Sequence, residues 1–198
     1  AGHPYRSIGL TPTLMITGAF ATNIYITLYV SAGRGWSAGA SAWAVLFFIL
    51  GWTGGANASS VIQARISEVD VITIGLASGI LGSITTALFA WMDASVIGIF
   101  AGLFATGVGI GLTTNACLTL LRAATEPKMI GRAGSAHQFM RNQGFTLGTA
   151  AGGAILLLVV GRQLGSVEPV QQLLAGEEIT TGPAIAEAVR DGFATVTV

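Results

Sequence analysis

TEPKMIGRAGSAHQFMRNQGFTLGTAAGGAILLLVV, Thr125 to Val160, passes from a polar, charged turn into a glycine-ribbed apolar helix. Its first half is too polar for the centre of a bilayer and its second half too apolar for a soluble surface. The segment therefore crosses the boundary between water and hydrocarbon. Gly144, Gly148 and Gly152 recur every fourth residue. On a helix that spacing makes one stripe, where missing side chains let a second helix approach closely enough for van der Waals packing to hold the pair.

The whole chain shares this character. Of its 198 residues 52% are hydrophobic and 9% charged, where soluble domains carry about 25% charged residues, and mean hydropathy is +0.72. The 28 glycines suit a membrane protein. A net charge of zero removes the electrostatic case for nucleic-acid binding. The single cysteine, Cys117, forms no intrachain disulfide or cysteine metal cluster and reads as a small packed apolar residue.

Five runs are long enough to span about 30 Å of hydrocarbon: Ile8 to Val30, Ala38 to Ala64, Val71 to Trp91, Ala94 to Leu121 and Ala133 to Val160. Helices are expected, because runs of more than about 20 residues exceed the length of a barrel strand. The expected class is an all-α membrane protein. Residues 1–160 form its five-helix bundle, 161–192 a long acidic external loop with short helices, and 193–198 the start of a further spanner. The loop reading rests on Glu168, Glu177, Glu178, Glu187 and Asp191, with VQQLLAG and PAIAEAVRDGF as amphipathic stretches. The short connections predict antiparallel neighbours. His3, Pro4 and Arg6 lead directly into an apolar run, which reads as a fragment rather than a signal peptide.

Lys and Arg set the orientation. Arg6, Arg65, Arg122, Lys128 and Arg132 fall on one side, and Arg34, Arg162 and Arg190 on the other. The positive-inside rule then places the N-terminal end in the cytoplasm and the acidic segment outside. Trp36 and Trp91, at helix ends, suit interface anchors.

An ionisable residue inside a membrane helix points to function. Here that residue is Arg141, accompanied by Gln138, Asn142 and Gln143. It either snorkels back to the cytoplasmic interface or contacts a water-filled cavity. His137, one turn earlier, is either solvated or a proton relay. Asn23, Tyr25, Asn57, Thr113, Thr114 and Asn115 either line a passage or bond neighbouring helices. GVGIG, Gly107 to Gly111, is no nucleotide loop, because no strand precedes it. No catalytic dyad, metal cluster or activated nucleophile is readable, so neither an enzyme nor a cofactor is expected.

GRAGSAHQFMRNQGFTLGTAAGGAIL, Gly131 to Leu156, resembles the penultimate helix of the fourteen-helix drug:proton antiporters of the major facilitator superfamily. Gly131, Gln138, Phe139, Arg141, Gly144, Leu147, Gly148 and Ala150 stand at the positions of that pattern. Residues 102–121 resemble the glycine-rich helix before it, and 28–51 a helix–loop–helix of the same family. The loop motif between the second and third helices is degenerate: Arg65 stands for its arginine, while Ser67 replaces a glycine and Asp70 a basic residue.

The resemblance implies the C-terminal half of a multi-pass permease of the cell inner (plasma) membrane. Its partners are the bilayer, a missing N-terminal half, protons and a small organic substrate exported by alternating access. It implies that Asn23, Tyr25, Thr114 and Asn115 line the substrate cavity, that Gln138 and Arg141 sit at the cytoplasmic gate, and that Gly144, Gly148 and Gly152 pack a sliding helix. The rival readings are a non-transporting membrane scaffold or partner subunit and, with less in the sequence to support it, a membrane-embedded enzyme.

Overall fold

The computed structural model describes residues 4–92, 94–175 and 182–197. His3, Asp93, Val198 and two acids of the expected loop, Glu177 and Glu178, lie outside the described residues. Among those described there is no strand. The helices are α1 (Pro4–Asn23), α2 (Ile26–Leu28), α3 (Ala38–Ile62), α4 (Glu68–Trp91), α5 (Val96–Ala123), α6 (Ile130–Leu164), α7 (Glu168–Leu174) and α8 (Pro183–Thr197). Tyr29–Gly33 forms a π-helical turn and Pro127–Met129 a 3₁₀ turn. Five segments are long and apolar enough to cross a membrane: Ser7–Gly33, Ser41–Ile62, Glu68–Trp91, Val96–Ala123 and Pro127–Leu164.

The starts of α4 and α5 follow from local chemistry. The Ser67 hydroxyl accepts from the Asp70 amide at 3.2 Å and donates to the Asp70 carboxylate at 2.7 Å. This reciprocal cap lets α4 begin at Glu68, three residues before the apolar run. Ser95 accepts from the Ile97 amide and starts α5. At the far end of α6, Gly165 adopts φ 68° and returns its N–H to the Gly161 carbonyl, the left-handed conformation that suits glycine at a helix end.

The first span is not the continuous helix its composition suggests. α1 stops at Asn23, and the chain turns through Ile24 and Tyr25 into α2 and the π turn. No proline or glycine lies at the break, so tertiary contacts impose it. Below the break α1 lies on α6. Above it, Tyr29 is fully buried, stacks on Phe193 of α8 with ring centroids 4.5 Å apart, and donates to the Ala90 carbonyl at 3.3 Å. Arg34 closes this end, donating to the Tyr29 hydroxyl at 3.1 Å and to the Ala94 carbonyl at 2.6 Å.

Glycines choose the neighbours. Gly144 of α6 lies against Thr13, Gly148 against Thr17 and Gly152 against Ala21. The two sets of residue numbers rise together, so α1 and α6 are parallel. α3 and α5 are parallel in the same way, with Gly107 against Phe48 and Gly51, and Gly111 against Trp52 and Gly55. α4 and α5 run antiparallel, Gly75 meeting Gly109 and Thr113 while Gly82 meets Gly102 and Thr106. Among consecutive spans α4 and α5 pack together along their length, while α2 meets α3 and α5 meets α6 over shorter contacts. The two parallel pairs join helices distant in sequence, because in lipid close backbone approach, rather than loop length, rewards contact.

α8 runs unbroken through residues 192 and 193, where the sequence suggests a loop giving way to a new spanner. It packs against α6, α4 and the π turn, burying Ala188, Val189 and Phe193.

Candidate functional site

Aromatic rings from three helices meet between α1, α3 and α6. Phe20 of α1 lies 4.4 Å from Phe145, 5.8 Å from Phe48 and 6.2 Å from Trp52, centroid to centroid. Trp52 lies 6.0 Å from both Phe48 and Phe145. These separations fall in the range where tilted and edge-to-face pairs attract. Phe48 is buried, whereas Phe20, Trp52 and Phe145 are half-buried and keep part of their surface open.

The Arg141 guanidinium sits on this cluster, 5.8 Å from the Trp52 ring and 5.8 Å from the Phe145 ring. Position fixes its depth. Trp52 lies 11 residues from Ser41 and 10 from Ile62, the ends of its span. At about 1.5 Å per residue it stands roughly 15 Å from either end. Arg141 therefore reaches toward the middle of α3 instead of bending back toward the N-terminal end of α6. Contact with two aromatic faces offsets part of the cost of this partly buried charge, at about 0.5–2 kcal/mol per pair depending on desolvation. Its Nε is buried without a hydrogen-bond partner, and among the described residues no carboxylate pairs with it. His137, one turn earlier, is 5% exposed, and its Nδ1 is likewise unpartnered.

The remaining predicted residues separate into distinct roles. Asn23 ends α1 at the break and is buried, its Nδ2 without a partner. Three residues after Phe20, it shares that residue's helical face. Tyr25 donates its hydroxyl to the Thr149 carbonyl at 2.9 Å and ties the break to α6. Thr114 donates to the Ile110 carbonyl of its own helix at 2.7 Å. Asn115 donates to the Ala56 carbonyl at 2.9 Å, binding α5 to α3. Gln138 is exposed and bonds Asn142 on its own helix at 3.3 Å, so the two gate candidates face different surroundings. Asn57 is exposed and turned to the Thr53 carbonyl.

None of Asn23, Tyr25, Thr114 and Asn115 lines a groove of about 1400 Å³ between α1, α4, α6 and α8. Its walls are mainly apolar, with Leu14, Ile80 and Ile84 along them and Gln163, Asp191 and Thr195 among its polar groups. Gln163 donates to the Asp191 carboxylate at 2.7 Å. The aromatic cluster escaped the sequence reading, and Asp191, expected in a loop, stands on α8 along this groove. Trp52 carried the one available signal, a tryptophan at the middle of a span rather than at its end.

Neither family models, curated proteins nor solved structures provide a match to this chain.

Proposed function

We propose that this chain is the C-terminal half of a secondary transporter of the major facilitator type. In this reading it exports small organic molecules by proton-coupled alternating access, with Gln138 and Arg141 toward the cytoplasmic gate. One observation carries the reading: an arginine with no carboxylate partner among the described residues sits on aromatic rings that include one from a second span, in a bundle whose first span is interrupted after Asn23. Discontinuous helices and intramembrane charge are what a transporter needs near its binding site, where unwound backbone and polar groups serve a passing ligand. A passive scaffold has no use for a charge that costs about 2.5–3.5 kcal/mol to insert at the bilayer centre. The glycine contacts support the same reading, since helices that meet through backbone can shift without repacking large side chains.

The test is transport by the complete protein in inverted vesicles under an imposed pH gradient, with fluorescent anionic, neutral and cationic amphiphiles as probes. The expected result is accumulation abolished by a protonophore and reduced at least tenfold by Arg141→Ala or Asn23→Ala. Accumulation equal to that of empty vesicles for every probe, or unaltered by either substitution, favours the scaffold reading.

A further inference from the structure

We infer that Arg141, with the aromatic faces of Trp52 and Phe145, forms a binding site for a flat organic anion, an aromatic carboxylate being the simplest ligand. As a statement about substrate it rests on the transport reading above; as a statement about binding it stands alone.

The local polar inventory is one-sided. Around the α1–α6 contact the buried unpartnered atoms are Arg141 Nε, His137 Nδ1 and Asn23 Nδ2, and no unpartnered carboxylate oxygen accompanies them. A guanidinium offers five N–H donors in a planar fork and no acceptor. The central guanidinium carbon of Arg141 lies 5.8 Å from the Trp52 and Phe145 ring centroids, and among the described residues no acceptor is hydrogen-bonded to the fork. A carboxylate suits the planar fork and can accept two parallel bonds. An aromatic body attached to it would lie beside the half-exposed rings of Trp52, Phe145 and Phe20, at spacings those rings already use with one another.

The same features reject other ligands. A cation would meet Arg141 as a like charge in a low-dielectric site, and a neutral arene would leave the guanidinium unsatisfied. A lipid phosphate belongs at the helix ends, roughly 15 Å from the level of Trp52 by helical rise. A small diffusible anion is therefore the occupant.

Equilibrium binding to the complete protein in phosphatidylcholine nanodiscs tests this with three probes of one shape: 2-naphthoate, 2-naphthylmethylammonium and 2-naphthalenemethanol. Naphthoate should bind saturably and at least tenfold more tightly than the other two. Arg141→Gln should weaken naphthoate at least tenfold while leaving the alcohol unchanged. Trp52→Leu should weaken naphthoate several-fold. Thermal unfolding checks that each variant is folded; if Arg141→Gln is not, Arg141→Lys decides, with an expected three- to tenfold loss from removal of the planar fork. Equal affinity for the three probes, no saturable naphthoate binding, or naphthoate affinity unmoved by the folded Arg141 variant overturns the inference. A protein that binds naphthoate yet moves no probe keeps the site and loses transport. One that pumps only cations does the reverse.

Discussion

The two parallel helix pairs solve one packing problem differently. Between α3 and α5, glycines stand on both sides, Gly51 and Gly55 facing the stripe that contains Gly107 and Gly111. Two interhelical bonds accompany them, Asn115 to the Ala56 carbonyl and Ser59 to the Leu112 carbonyl, the latter at 3.3 Å. Between α1 and α6 the glycines that meet the facing backbone stand on α6, against Thr13, Thr17 and Ala21, while Gly9 of α1 meets only the flexible Met140 side chain. Here the bonds come from the opposite helix: Thr13 donates to the Met140 carbonyl at 3.1 Å and Tyr25 to Thr149. The first interface joins two continuous helices. The second joins a continuous helix to one that breaks at its upper end, and three of the four unpartnered buried polar atoms, on Asn23, His137 and Arg141, belong to these two helices. Tight mutual packing makes a frame; one-sided packing leaves room for a site.

Substitutions can separate the two. The largest effect is expected from Gly111→Leu, because a Cβ there would run into the backbone of Trp52, Gly55 and Ala56 on a helix already bonded in place. Loss of roughly 3 kcal/mol or more is expected, seen as failure to recover a folded monomer or a collapsed unfolding midpoint in detergent. Gly148→Leu meets the backbone of Thr17 only, on a helix that can tilt about its break. About 1–3 kcal/mol is expected in the same measurement, with greater cysteine accessibility along α1. Equal losses for the two leucines would erase the distinction. Smaller effects should follow from Asn115→Ala and Tyr25→Phe, each about 0.6 kcal/mol, the usual worth of an interhelical bond in a membrane. Amide exchange sharpens this last pair: Tyr25→Phe should speed exchange in residues 24–33, while Asn115→Ala should leave that segment unchanged.

The five spans were legible because length and apolarity alone decide them. The expected ends at Val71, Leu121 and Ala133 differ from the observed Glu68, Ala123 and Ile130, because polar residues such as Ser67 and Asp70 complete helix ends that hydropathy trims. Which helices touch was not legible. Gly144 meets Thr13 across most of the chain, and its spacing announces a close partner without naming it. The direction of Arg141 was likewise hidden. Snorkelling and inward contact fit the same position on α6, and only Trp52 on another helix distinguishes them. The break after Asn23 carries no proline or glycine signal, since Tyr25, Tyr29 and Arg34 hold it through atoms supplied by α4, α6 and α8.

The pairing of α1 with α6 also bears on how the protein is made. α1 emerges from the ribosome long before α6, and by hydropathy its span is the least apolar of the five. Until α6 arrives, the strip through Thr13, Thr17 and Ala21 has no glycine surface to cover it. α1 should therefore wait, held at the translocon or by a chaperone, for α6 to secure it in the bilayer. Slowing translation between Ala123 and Leu164 should then expose α1, before any other helix, to quality-control proteolysis.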